Sequence, residues 1–266
     1  MQAREALQTY TGKKHVYYMP RCNAAIKEAL SYYHNKGYTK VLIQDEGGWM
    51  TYKTYPKQLG MQVVEIMTRN SLLDLAALKE HLGPKSVLLI NSMPSYSILE
   101  RMDLIVPVCE RYGTPVINDV SGSIGTPQAR YGNLIVGSFG VWKPIWLGIG
   151  GFIASNDTLP IHETPLDEVA LAKAIKTRAD RTQFWQESVA RIKKDLSEYK
   201  VLHPEFNGFV VIVKYKSEEQ KHHLIEYCAK QGWAHTLCPR YIRVNEPAIS
   251  IEVKRNDPAK TNKITR

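Results

Sequence analysis

No apolar run in this chain approaches the roughly 18 uncharged residues a membrane helix needs. Its first residues, Met1 to Glu5, lack the basic-then-apolar texture of a signal peptide, so a cytoplasmic protein is expected. The four cysteines, at 22, 109, 228 and 238, stand far apart with no C-x-x-C pair, which argues against a disulfide framework and a zinc knuckle. Cys109 is expected to pack as a small hydrophobe, and no metal site is predicted. Internal repeats are missing as well. Acidic residues are in deficit, 26 against 35 Lys and Arg, giving a formal charge of +9 that would suit a phosphorylated ligand or RNA. The cations are scattered, however: some follow Arg178, Arg181, Arg191, Lys193 and Lys194, others the tail from Lys254 and Arg255 to Lys260, Lys263 and Arg266. No RNA-binding motif accompanies them, so a small molecule is favoured over nucleic acid as partner.

What is present is 44% hydrophobic residue in 266, enough for a sizeable core. From residue 14 to 155, short β-branched runs alternate with helical periodicity, the pattern of βα units around a mostly parallel sheet. Strands are predicted at His15–Met19, Lys40–Gln44, Gln62–Ile66, Ser86–Asn91, Pro115–Asp119, Leu134–Gly137 and Gly151–Ala154. Helices are predicted at Asn23–Lys36, Leu72–His81 and Ile98–Tyr112, several closed by a glycine. The fold class is therefore α/β: a three-layer α/β/α domain with a seven-stranded sheet, plus a small C-terminal α+β domain. The small domain is expected to carry a long helix, Leu166–Glu198, a strand Phe209–Val213, a helix Glu218–Gln231 and strands Tyr241–Val244 and Ile249–Val253. The expected divisions are 1–160, 161–255 and a flexible tail 256–266.

In a parallel sheet ligands bind beyond the carboxyl ends of the strands, where loops meet helix N-termini. The first strand ends in Arg21, Cys22 and Asn23, which make a phosphate cradle if the helix N–H groups are free, or a simple N-cap if Asn23 takes them. The second ends in Gly47, Gly48 and Trp49, an aromatic able to lie on a planar heterocycle or simply to pack. The fifth delivers Asp119 ahead of Ser121, a carboxylate that can hold a protonated ring nitrogen, cap a helix or bind a metal. The sixth delivers Ser138 and then Lys143 among Trp142, Pro144 and Trp146. In that apolar setting the amine is expected to be depressed in pKa and nucleophilic, although a surface lysine before a proline is the plain alternative. In the small domain Arg240 and Arg243 are candidates for a substrate carboxylate, or surface cations.

The order of these parts resembles the fold type I enzymes dependent on pyridoxal phosphate (PLP). More narrowly, Val116-Ile-Asn-Asp119, Gly125, Val136-Gly-Ser-Phe-Gly140, Lys143 and Gly150-Gly151 are similar to the pattern of the DegT/DnrJ/EryC1/StrS aminotransferases. The resemblance covers roughly residues 14 to 155. It implies an aminotransferase with pyridoxal 5'-phosphate as cofactor, a small-molecule amino donor and acceptor, and a homodimer. Lys143 would form the Schiff base and shuttle the proton, Asp119 would pair with the pyridinium nitrogen, Ser138 with the Arg21–Asn23 loop and Ser121 would hold the cofactor, and Trp49 would cover its ring. The chain departs from the pattern where the phosphate loop reads Arg21-Cys22-Asn23 and where Gly122 replaces a usual Gln. The segment before the lysine is shortened too. The Asp119–Gly125 stretch also looks like the class V aminotransferase and cysteine desulfurase branch. A PLP lyase, an aminoacyl-tRNA-modifying transferase, or a non-catalytic binding protein of this fold are the alternatives.

Overall fold

A computed structural model describes residues 2–256. Of the tail expected at 256–266, Asn256 is described, its carbonyl accepting from Trp185 Nε1 at 2.9 Å, and the rest lies outside the described residues. In chain order the large sheet and its helices are α1 (Ala3–Thr11), β1 (His15–Met19), α2 (Cys22–Asn35), β2 (Lys40–Gln44), α3 (Met50–Gln58), β3 (Gln62–Ile66), the hairpin β4 (Thr68–Arg69) and β5 (Leu72–Leu73), α4 (Leu75–Lys79), β6 (Ser86–Asn91), α5 (Met102–Arg111), β7 (Val116–Asp119), β8 (Leu134–Ser138) and β9 (Gly151–Ser155). After them come α6 (Glu168–Lys176), α7 (Arg178–Asp195), β10 (Lys200–Val201), β11 (Val211–Lys214), α8 (Glu218–Gln231), β12 (His235–Cys238) and β13 (Ala248–Ile251).

Seven strands form one sheet in the order β1-β9-β8-β7-β6-β2-β3, and β9 alone runs against the others. The alternation of side chains explains the three layers. Val41, Ile43, Val87, Leu89, Ile117 and Val136 pack with Ala25, Ile26 and Leu30 of α2 on one face. Leu42, Leu88, Ile90 and Val116 turn to the other, against Met102, Ile105 and Cys109 of α5. Each such aliphatic side chain, taken fully from water, contributes about 1.5–3 kcal/mol. A second, antiparallel sheet, β10-β11-β13-β12, encloses its own core around Trp185 of α7.

Several expectations are corrected. The helix expected at Leu72–His81 is a hairpin followed by a short helix. Asn70 and Ser71 take positive φ, 52° and 70°, as a two-residue hairpin turn requires, and Asp74 then caps α4 by accepting from the N–H groups of Ala76 and Ala77. The long helix breaks at Thr177, whose ψ of 2° ends α6 before α7 begins. Tyr241–Val244 is no strand: Arg243 N–H donates to Arg240 O and Arg240 N–H to Val244 O, folding the segment on itself, and β12 takes the place beside β13. The two sheets meet where Phe209 N–H donates to Tyr96 O at 2.8 Å and Ser95 O–H to Arg243 O at 2.6 Å. A cleft opens along that seam.

Candidate active site

The cleft has a volume of about 480 Å³ and is walled by the loops after β1, β2, β6, β7 and β8 and, from the small domain, by Ile242, Arg243, Lys254 and Arg255. Its first wall is the start of α2. Arg21 precedes the helix in extended conformation, no side chain caps it, and its first turn carries no acid, so the leading N–H groups stay open to an anion. Gly151 allows this wall to approach β9: a Cβ there would stand 2.6 Å from Cys22 N. Asn23 Oδ1 accepts from Trp49 Nε1 at 3.0 Å, so Asn23 secures the aromatic rather than capping its helix.

Lys143 follows β8 and projects into the cleft, where Nζ donates to Tyr96 Oη and lies 5.7 Å from the Trp49 ring centre. Burial penalises the ammonium, but Tyr96, Asp119 and Cys22 favour it, and its pKa lies above the ordinary lysine value. That corrects the depressed value expected of its sequence neighbours. Of the two tryptophans expected to shield it, Trp142 lines the cleft, whereas Trp146 packs against the small-sheet core.

Asp119 ends β7 nearly buried. Its Oδ2 accepts from Tyr52 Oη at 2.7 Å and its Oδ1 from Ser121 N at 2.9 Å. It does not itself line the open cleft, although its neighbours Ser121 and Cys22 do, with their Oγ and Sγ 3.6 Å apart. Burial, then the Asp119 charge, lifts the Cys22 thiol well above its usual pKa and keeps it protonated. Burial and the same carboxylate hold the Tyr52 hydroxyl protonated, as a donor. Ser138 lines the cleft with Oγ accepting from Gly140 N at 3.1 Å.

The small-domain candidates fare differently. Arg240 is exposed and outside the cleft wall. Arg243 lines the cleft, but its guanidinium is spent: Nε and Nη2 donate to Glu252 at 2.7 and 2.5 Å, and Nη1 to Ile242 O at 2.7 Å. It is an internal ion pair rather than a free carboxylate receptor.

Tyr96 escapes the sequence reading, and Lys254 and Arg255, read there only as scattered cations, line the cleft. Tyr96 carries a detectable signal, since it sits in the loop after β6 where the strand-end rule points. Ser95 and Tyr96 hold positive φ, 55° and 59°, strain of the kind that gathers at functional sites. Its ring occupies the space above Gly122, where a Cβ would come within 2.9 Å of Cε1. The glycine that departs from the usual Gln thus admits the tyrosine.

A family model, the DegT/DnrJ/EryC1/StrS aminotransferase family, matches residues 2–190, and a second, the MJ1341 family C-terminal domain, matches residues 181–264. The chain is 35% identical over 85 residues to EpsN of Bacillus subtilis (strain 168), a proposed pyridoxal phosphate-dependent aminotransferase. That match spans 30% of this chain and 21% of the relative. Among solved structures, a DegT DnrJ EryC1 StrS aminotransferase from Brucella abortus superposes with TM-score 0.72 at 15% identity, covering 98% of this chain and 87% of the other. Helicobacter pylori PseC, an aminotransferase involved in the biosynthesis of pseudoaminic acid, gives TM-score 0.72 at 16% identity, covering 98% and 88%.

Proposed function

The chain belongs to the DegT/DnrJ/EryC1/StrS aminotransferase family, and from that premise we propose that it is a PLP-dependent aminotransferase whose cofactor sits in the cleft beside Lys143. The observation that carries this reading is a primary amine and an open helix N-terminus on one cleft, with a buried carboxylate directly behind the Ser121 and Cys22 of its wall. These groups fit the cofactor's chemistry. The uncapped start of α2, the Arg21 guanidinium and Ser138 suit its phosphate. Trp49 suits its ring. Asp119, whose oxygens each keep a lone pair beyond the bonds already made, suits a protonated ring nitrogen.

When bound, PLP supplies an electron sink for the charge left when a proton leaves the carbon bearing an amino group. The protein's own part is proton transfer and orientation. Lys143 Nζ, in its neutral amine form, takes that proton and returns it, and Tyr96 Oη, its hydrogen-bond partner, fixes where the amine points. Tyr52 and Ser121 N–H hold the Asp119 carboxylate in one orientation. Trp49 and Trp142 line the cleft beside the amine.

The active form in this reading is a homodimer. Trp49, Val141, Trp142 and Ile149 stand exposed, at 41%, 47%, 38% and 60%, all around the cleft mouth, an apolar rim that a second copy would cover. Sedimentation at micromolar concentration should give twice the chain mass, and a monomer in the presence of cofactor would count against it. The four cysteines stand free, as a cytoplasmic setting allows. No helix among the described residues is long and apolar enough to cross a membrane.

The test of the activity is spectroscopic. PLP added to the protein should give a near-visible absorbance band, and borohydride should then fix the cofactor to the peptide carrying Lys143. Lys143→Ala should lose both while still binding PLP weakly. A wild type that never develops the band would overturn the enzyme reading in favour of a non-catalytic binding protein.

A further inference from the structure

The cleft holds a second amine. Lys254 lies on the short turn after β13, is 5% exposed, and makes no side-chain hydrogen bond or ion pair among the described residues. Its backbone is anchored, N–H to Phe209 O at 3.0 Å, and its Nζ rests 4.4 Å from the Tyr96 ring centre and 5.9 Å from that of Trp142. Among the described residues its close contacts are these two ring faces. A buried ammonium so placed is far from satisfied.

Arg255 stands next to it, its guanidinium 4.9 Å from the Trp142 ring centre and its Nε without a hydrogen bond, 3.7 Å from Glu252 Oε2. Glu252 is already committed to Arg243 in two close bonds. Trp142 carries these cations from a backbone at φ 63°, a left-handed conformation that a bulky residue adopts only under constraint. Two basic side chains therefore line one wall of the cleft over the Trp142 ring, and among the described residues the one carboxylate near them is Glu252, which Arg243 already engages in two close bonds.

We propose that Lys254 and Arg255 form an anion subsite of the cleft that receives a carboxylate or phosphate group of the substrate. The proposal rests on the reading of the cleft as the substrate site and narrows the substrate class to compounds bearing a negative group besides the reacting amine or carbonyl. Arg243 cannot serve in their place because Glu252 neutralises it. The charged and titratable groups facing Lys254 are Lys143, Arg243 and Arg255, which disfavour its protonated form, Glu252, which favours it, and Tyr96 beneath it. Burial acts with the three cations to hold the Lys254 pKa well below the ordinary lysine value. An arriving anion reverses that balance, so its binding takes up a proton.

Calorimetric titration with glutarate, and separately with inorganic phosphate, tests this on the protein with PLP fixed by borohydride and on the protein without PLP. Lys254→Met keeps a chain of similar reach over Tyr96 and removes only the charge. The expected result is binding of at least one anion by the wild type, weakened about tenfold or more in Lys254→Met, as for loss of one charged hydrogen bond. The buffer-dependent heat of proton uptake should vanish with it. Tighter binding of glutarate identifies a carboxylate, tighter binding of phosphate a phosphoryl group. A wild type that binds neither anion, or a Lys254→Met protein that binds as well as wild type, overturns the subsite. Should Lys254→Met fail to fold, Arg255→Gln, at the more exposed position, carries the same comparison. Absence of the PLP band would sink the aminotransferase reading, yet leave the titration of the PLP-free protein to decide the subsite alone.

Discussion

Lys143 donates a hydrogen bond from Nζ to Tyr96 Oη across 47 residues of sequence, joining the loop after β8 to the loop after β6. This contact changes the character of the amine. Burial alone would lower its pKa, but the tyrosine oxygen together with the Asp119 carboxylate outweighs burial and stabilises the ammonium. Tyr96 thereby sets both the direction and the protonation of the proposed nucleophile.

Removing that oxygen should lower the Lys143 pKa, because a partner that favours the charged form is lost while burial remains. Tyr96→Phe is expected to shift the pH profile of borohydride-trapped PLP attachment toward lower pH. Superimposable profiles for variant and wild type would show that Tyr96 does not govern the amine.

Asp119→Asn should impair both chemistry and stability. An amide offers one acceptor oxygen where the carboxylate offers two, so either the Tyr52 hydroxyl or the Ser121 N–H loses its partner. Leaving a buried donor unpaired costs about 1–3 kcal/mol, read as a lowered urea midpoint. Turnover of an amino donor should fall about a hundredfold or more, on the scale of acid–base catalysis itself, since a neutral amide cannot hold a protonated ring nitrogen. Unchanged turnover would remove Asp119 from the mechanism.

All seven strands of the large sheet were legible in the sequence because each is a short run with apolar residues for both faces, bounded by turn residues. Lys143 and Asp119 could be singled out because a strand end delivers each of them. What local pattern could not give was the company they keep. Trp142 and Trp146 flank Lys143 in sequence and suggest an apolar setting, whereas Tyr96 and Asp119 are what reach the amine in space. Arg243 reads as a free cation until the fold brings Glu252 against it, and Tyr241–Val244 reads as a strand until the backbone turn through Arg240 is formed. Lys254 belongs to the cleft only through the docking of the small sheet on the Tyr96 loop.

Gly122 is expected to tolerate no side chain. A Cβ there would approach the Tyr96 ring to 2.9 Å, and Lys254 lies over the same ring, 4.4 Å from its centre. Gly122→Ala should therefore displace Tyr96, destabilising the fold by about 1–3 kcal/mol as overpacking does. It should also slow PLP attachment at Lys143. A variant matching wild type in both measurements would show that the ring is not confined.

The Arg243–Glu252 pair should make the protein sensitive to acid. Glu252 is fully buried and accepts from Arg243 Nε, Arg243 Nη2 and Ser250 Oγ. Burial pushes its carboxyl up, but Arg243, then Lys254 and Arg255, hold it down at about 2, below the ordinary 4.5. A carboxyl whose folded pKa is depressed gives stability that is present above its unfolded pKa and is lost as pH falls through the folded one. The window is therefore pH 4.5 down to 2, and the difference between those values corresponds to about 3 kcal/mol. Glu252→Gln should remove this dependence and cost about 3–5 kcal/mol near neutral pH, since it leaves the 4% exposed Arg243 cation without its anion. Urea midpoints measured from pH 7 to pH 2 on both proteins decide the matter: a Glu252→Gln variant as stable as wild type at pH 7, with the same acid slope, would show that the pair contributes nothing to holding the two sheets in register around the site.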